Sequence, residues 1–186
     1  MGNFADQIAN EYQFTREAQD AYAIESVNRA KRAEDEGEFD REITPVSVKT
    51  RKGEVVVAKD AGPSGARPEK IPNLRPAFNK DGTVTAANAS SINDGAAALV
   101  MMKKSEAEKR DVKVLAEIRA HAAHAHAPEY FTTAPVKAME KCLAKAGWDA
   151  QDVDLWEINE AFAVVPMIAM RDLKLDHAKV NVNGGA

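Results

Sequence analysis

Four groups of side chains in this 186-residue chain have the types and spacing to do chemistry. Three of the four histidines lie in His121-Ala-Ala-His124-Ala-His126. A metal centre needs several imidazoles converging on one point and held there by outer partners. This spacing lets two rings meet on a helix, but no cysteine follows nearby to complete a ligand set. A polar loop is the simpler reading. Gly62-Pro63-Ser64-Gly65-Ala66 approaches a nucleophile elbow, yet it lacks the final glycine and a strand–turn–helix setting, so a turn is expected. The single cysteine, Cys142, lies mid-helix by pattern, between Lys141 and Lys145. A reactive thiol needs an accessible site and a base, so Cys142 reads as a small buried apolar residue. The pair Asn159-Glu160 is more informative, because it follows an apolar strand at the end where open α/β sheets place ligands. An asparagine cannot transfer protons, but its amide can hold a water or a developing oxyanion. It can equally cap the helix that follows, and the residues alone leave both readings open.

The elements that must position these groups can be read from periodicity. Phe4, Ile8 and Tyr12 share a helical face, widened by Ala5 and Ala9. Thr15 can cap a second helix with Ala23, Val27 and Ala30 on one side, stopped at Gly37. Over 42–58 the period changes, and two valine-rich strands turn at Lys52-Gly53. Residues 61–76 carry two glycines and four prolines, too many breakers for a helix or a central strand, so an ordered loop or a linker is expected there. Asp81-Gly82 is a turn, and 96–102 could be a buried helical turn followed by a strand, a choice that periodicity does not decide. Beyond that the pattern alternates: strands over 114–118, 153–158 and 180–182, and helices from Thr133-Ala134-Pro135 to Gly147 and from Ala161 onward. Pro166 should kink the latter.

Composition narrows the class. The chain is 45% hydrophobic and 29% charged, which is globular rather than disordered. With 25 basic and 29 acidic residues the net charge is −4, so no broad attraction to nucleic acid follows. No apolar run approaches the roughly 20 residues of a membrane helix, and the first residues do not form a secretory signal. No dinucleotide-binding or P-loop glycine pattern occurs. One cysteine excludes an intrachain disulfide and fits a reducing cytoplasm, where the chain is expected to reside.

Several blocks together carry a family resemblance. Asn159-Glu160-Ala161-Phe162, the run from Asn181 to Ala186, Leu74-Arg75-Pro76-Ala77-Phe78 and the stretch from Thr83 through Asn88-Ala89-Ser90 and Asn93-Asp94-Gly95 to Ala98 resemble the thiolases in sequence and order. They look most like the biosynthetic branch, the acetyl-CoA C-acetyltransferases. The resemblance runs from end to end of the chain. It implies an α/β fold of the thiolase type, a mixed sheet with covering helices plus a mainly helical loop domain. Residues 1–76 would be a portion of the lid-like loop domain, 77–112 the end of the N-terminal core and 113–186 the start of the C-terminal core.

The resemblance also implies chemistry. Family members use a nucleophilic cysteine to take the acyl group from one acyl-CoA. A second cysteine removes a proton from the α-carbon of acetyl-CoA, and the carbanion attacks the acyl-enzyme. By position, Asn159 matches the residue that holds a water in the oxyanion hole, and Glu160 matches its acidic neighbour. Arg75 matches a residue near the nucleotide end of coenzyme A, and Ser90 a hydroxyl at the pantetheine. Ala86, Ile92, Phe131, Ala161 and Phe162 match apolar walls of the substrate tunnel. Both family cysteines and the family histidine correspond to nothing in these 186 residues, so the chain alone is expected to be inactive. The expected reaction is condensation of two acetyl-CoA to acetoacetyl-CoA, or its reverse. The substrates would be acetyl-CoA and acetoacetyl-CoA thioesters, with no metal, separate cofactor, nucleic acid or membrane partner, in a homotetramer or homodimer. The alternatives are a 3-ketoacyl-CoA thiolase with longer-chain substrates, or an inactive acyl-CoA-binding or assembly module.

Overall fold

A computed structural model describes residues 1–185; Ala186, the last residue of the Asn181–Ala186 block, lies outside the described residues. Two helices come first, α1 (Gly2–Glu11) and α2 (Arg16–Asp35). The buried face of α1 is carried by Ala5, Ile8 and Ala9, while Phe4 and Tyr12 flank it at the edge. Thr15 caps α2 as expected: its hydroxyl accepts from the Ala18 N–H at 3.1 Å. Gly37, at φ +73°, turns the chain away just past the end of α2.

A hairpin of β1 (Val46–Thr50) and β2 (Gly53–Val57) follows, antiparallel, with Val46 opposite Val57 and Thr50 opposite Gly53. All ten residues are exposed, because a two-stranded ribbon with nothing packed on it wets both faces. The breaker-rich segment is more regular than its composition predicts. It holds a one-turn helix, α3 (Ala61–Gly65), and a 3₁₀ helix over Pro68–Asn73. In so short a helix Pro63 forfeits no i→i−4 bond, and Pro68 lies in the first turn, where its missing N–H has no partner to lose. The Asp60 carboxylate accepts from the Gly62 N–H at 3.0 Å and starts α3. Two long cations dock the segment on α2: Arg16 donates to the Leu74 carbonyl at 2.8 Å and Lys31 to that of Ala66 at 2.9 Å.

After the short α4 (Lys104–Lys109) come α5 (Ala134–Ala146) and α6 (Val164–Leu173). Gly147, left-handed at φ +71°, ends α5 as predicted. Pro166 does not fall mid-helix. α6 starts at Val164 rather than Ala161, which puts the proline in the first turn, where no intrahelical bond is lost. One apolar core joins Ala5, Ile8 and Ala9 of α1, Val136 of α5, and Val164, Val165 and Ile168 of α6 to Val84, Trp156, Ile158, Phe162 and Val180.

The strand expectations need correction. The segments 96–102 and 114–118 are irregular and exposed, with Leu99 85% and Leu115 91% accessible. A strand exists only where a second strand completes its ladder, and among the described residues none lies alongside. The segments 153–158 and 180–182 do meet, but in one parallel bridge between Trp156 and Val180. The Trp156 N–H donates to the Lys179 carbonyl and the Asn181 N–H to that of Trp156, both at 2.8 Å. Asn181 then turns left-handed, at φ +47°, and the ladder goes no further. Among the described residues the only paired strands form the hairpin, so the expected mixed sheet is represented by isolated bridges.

A buried carboxylate staples α1 to the turn beyond it. Asp6 accepts from the N–H groups of Thr83 (2.8 Å) and Val84 (2.9 Å) and from the Asn79 amide (3.0 Å). Asp6→Ala strands two backbone donors and should destabilise the fold by roughly 3 kcal/mol, read as a lower urea midpoint.

Candidate functional site

The residues 158–160 and 181–185 form a crossing that α2 covers. Glu160 is 5% exposed. Its Oε1 accepts from the Tyr22 hydroxyl and the Asn181 amide, each at 2.7 Å, and its Oε2 accepts from the Ser26 hydroxyl at 2.7 Å. Tyr22 and Ser26 are one helical turn apart on α2, so both hydroxyls point to the same spot. Burial first, then the Glu160 charge, push the Tyr22 hydroxyl far above the usual phenol range, which keeps it a donor. Ser26 in turn accepts from the Gly185 N–H at 3.0 Å.

Asn181 is saturated. Its Oδ1 accepts from the Ile158 N–H at 2.7 Å, and its Nδ2 donates to the Ile158 carbonyl at 2.8 Å as well as to Glu160. The glycines are needed for proximity. A Cβ on Gly184, already at φ +81°, would lie 2.6 Å from the Ser26 carbonyl, and one on Gly185 would collide with the Glu160 carboxylate. Arg29 of α2 completes the clamp, donating to the carbonyls of Val180 (2.7 Å) and His177 (3.0 Å).

Beside this crossing lies a cleft of about 460 Å³. Tyr22, Ser26, Glu160 and Gly185 line it from the crossing, and Asp60, Arg67 and Lys70 from the docked 60–74 segment. Asn88 also lines it; its amide donates to the Asp20 carboxylate at 3.2 Å, and its carbonyl accepts from the Ala163 N–H at 2.8 Å. Two cations, two carboxylates and several alanines thus face one space.

The structure gathers some of the sequence-identified residues and leaves others apart. Glu160 and Ala86 line the cleft. Ala161 and Phe162 join its 86–89 wall to the crossing, through a bridge between Ala89 and Phe162 and the Ser90 N–H donating to the Ala161 carbonyl (3.1 Å). Phe131 packs edge-on against Phe162, ring centres 6.0 Å apart. Arg75 and Ser90 are exposed and do not line the cleft, although Leu74 and Ala89 beside them do. Ile92 is 102% exposed, so no wall forms around it here. Asn159 is exposed, and its side chain makes no hydrogen bond among the described residues. It does not cap α6, whose first flanking residue is Ala163. Sequence reasoning passed over Tyr22, Ser26, Arg67 and Lys70. The i,i+4 pair of hydroxyls on an otherwise alanine-rich helix face was the available signal for the first two. Among the described residues no three of His, Cys, Asp and Glu converge as metal ligands. His124 faces the Lys141 ammonium at 3.1 Å, a repulsive setting for a cation.

Residues 1–105 match the sequence model of the thiolase N-terminal domain, and residues 112–186 that of the thiolase C-terminal domain. The chain belongs to the thiolase family. It is 48% identical to the cytosolic acetyl-CoA acetyltransferase of Mus musculus, an alignment covering all of this chain and 48% of that protein. Among solved structures, the acetyl-CoA acetyltransferase of Bacillus anthracis superposes with a TM-score of 0.95 at 42% identity. A thiolase of Ascaris suum, solved in complex with coenzyme A, superposes at 0.93 and 44% identity. Each superposition covers all of this chain and 47% of the other. The α/β thiolase fold is thereby established for this chain, which spans about half the length of the relatives it matches. No helix among the described residues is long and apolar enough to cross a membrane.

His177 stacks on Tyr22, ring centres 5.1 Å apart and planes 19° from parallel. Burial, then the Arg29 guanidinium, hold its imidazole below the usual histidine range. The unfolded chain therefore takes up this proton first. The stabilisation is complete above about pH 6.5 and is lost as pH falls through the lower folded value. The urea midpoint should drop between about pH 7.5 and 5.5, and by less in His177→Phe, which keeps the stack.

Proposed function

We propose that this chain is the central part of an acetyl-CoA C-acetyltransferase that forms acetoacetyl-CoA from two acetyl-CoA, or cleaves it. The observation that carries the reading is the setting of the Asn159–Glu160 pair. Glu160 is buried and satisfied beside a cleft, while the Asn159 amide makes no hydrogen bond among the described residues and is not a helix cap. An uncommitted amide held on a fixed turn suits a group that orients a water against a developing enolate oxygen. The names of the relatives, and the coenzyme A bound in the Ascaris suum thiolase, support the same substrates here.

The chain's own residues supply binding and orientation. Asn159 would hold the oxyanion-hole water, and Glu160 would fix its position. Ala86, Ala161, Phe162 and Phe131 would form the apolar wall of the acyl and pantetheine passage, completed by Ile92, and Ser90 would reach the pantetheine amides. Arg75 would serve the nucleotide end of the thioester, joined by Arg67 and Lys70 at the cleft rim, where cations can pair with phosphate. The reaction calls for a nucleophilic thiol and an α-proton acceptor. Cys142, half-buried on α5, is not offered for either part. The 186-residue chain by itself is therefore read as inactive.

The domain division follows from the same reading: 1–76 lid, 77–112 end of the first core, 113–186 start of the second. Docking of 60–74 on α2 supports the first unit. A cytoplasmic location is supported by the free thiol and the cytosolic mouse relative, and a homodimeric or homotetrameric assembly by the family resemblance.

The test is steady-state kinetics of acetoacetyl-CoA thiolysis by the full-length polypeptide carrying this segment. Asn159→Ala should lower kcat about a hundredfold, corresponding to roughly 3 kcal/mol for one oxyanion-hole donor, with KM little changed. Arg75→Ala should raise KM for the thioester and spare kcat. An unchanged kcat in Asn159→Ala, with circular dichroism showing an intact fold, would remove the site assignment.

A further inference from the structure

Residue 159 is held from both sides, and among the described residues no hydrogen bond holds its own side chain. Ile158 before it has its N–H and its carbonyl both bonded to the Asn181 side chain, at 2.7 and 2.8 Å. Glu160 after it is fixed by Tyr22, Ser26 and the same Asn181 amide, each at 2.7 Å. The Asn159 side chain makes no hydrogen bond among the described residues and is exposed. Where its amide points is therefore decided by the two anchors flanking it.

Those anchors converge on α2. The hydroxyls of Tyr22 and Ser26 come from successive turns of that helix, so their spacing fixes where the carboxylate can sit. Ser26 relays further: it takes the Gly185 N–H at 3.0 Å while giving its own proton to Glu160. Neither glycine next to it tolerates a side chain, Gly184 against the Ser26 carbonyl and Gly185 against Glu160. The helix, the diglycine and the Asn159–Glu160 turn can thus close only in one register.

We propose that Tyr22, Ser26 and Asn181 are positioning residues for the reaction, setting the direction of the Asn159 amide through the Glu160 carboxylate and the Ile158 peptide. The proposal rests on the functional reading above for the part Asn159 plays. It adds that the covering helix α2, which contributes no reacting group, sets the geometry of the oxyanion-hole water. A buried carboxylate deprived of two hydroxyl donors must shift towards other donors or water, and the peptide at 159–160 moves with it.

Tyr22→Phe, Ser26→Ala and the double variant remove donors with little change of volume, in the full-length polypeptide carrying this segment. Each single variant should lower kcat for acetoacetyl-CoA thiolysis about fivefold and the double variant at least tenfold, with KM within twofold. Asp6→Ala, destabilised at a site outside the network, should keep kcat within twofold. A double variant with kcat within twofold of the parent, or an Asp6→Ala loss as large as that of the double variant, overturns the proposal. If the parent polypeptide itself shows no thiolysis, the functional reading fails separately. The positioning is then read from the ¹⁵N side-chain amide resonance of Asn159. A shifted or broadened signal in the double variant, unchanged in Asp6→Ala, supports it; an unmoved signal in the double variant overturns it.

Discussion

A carboxylate taken out of water must be met by donors, and the centre of this chain is arranged around that requirement at Glu160. Among the described residues three neutral donors reach it, two from α2 and one from Asn181, with no cation in direct contact. Neutral donors have fixed directions, whereas an ammonium could approach from many. The solution therefore specifies geometry as well as supplying charge stabilisation. Once Glu160 is placed, α2, the 158–160 turn and the diglycine are placed with it.

The rest of the molecule uses the same device at lower stakes. Asp6 gathers the backbone of 83–84 and the Asn79 amide. Asp20 takes both the Arg16 guanidinium at 2.6 Å and the Asn88 amide at 3.2 Å. Buried polar residues on α1 and α2 thus collect loops that have no ladder of their own. This is why a helix as polar as α2 sits inside the fold: its buried face is alanine punctuated by Gln19, Asp20, Tyr22 and Ser26. The cleft lies where those collected loops face α2. Its cations and one carboxylate, Asp60, come from the docked 60–74 segment, and its buried carboxylate, Glu160, from the crossing.

What the sequence by itself determined was local and terminal. The Thr15 cap, the stops at Gly37 and Gly147, the hairpin turn at Gly53 and the apolar faces of α1, α5 and α6 depend on single residues and their near neighbours. The Asn159–Glu160 pair was legible for a similar reason, as two polar residues ending an apolar run. The docked 61–76 segment was legible only as a segment of breakers. Its short helices depend on Pro63 and Pro68 falling in first turns and on Arg16 and Lys31, distant in sequence.

Tertiary structure decided the rest, because the deciding partners are distant in sequence. Valine, leucine and isoleucine at 114–118 have the composition of a strand, but a strand is a relation between two segments, and no second segment lies beside it among the described residues. Asn181 and Tyr22 are 159 residues apart, and only folding makes them neighbours of one carboxylate. Asn159 shows the same limit: from sequence it could be a helix cap or an oxyanion-hole amide. Three-dimensional packing starts α6 five residues later, at Val164, so Asn159 is not its cap. Periodicity reports which face of an element is apolar; it carries no information on which remote donor a buried acceptor will find.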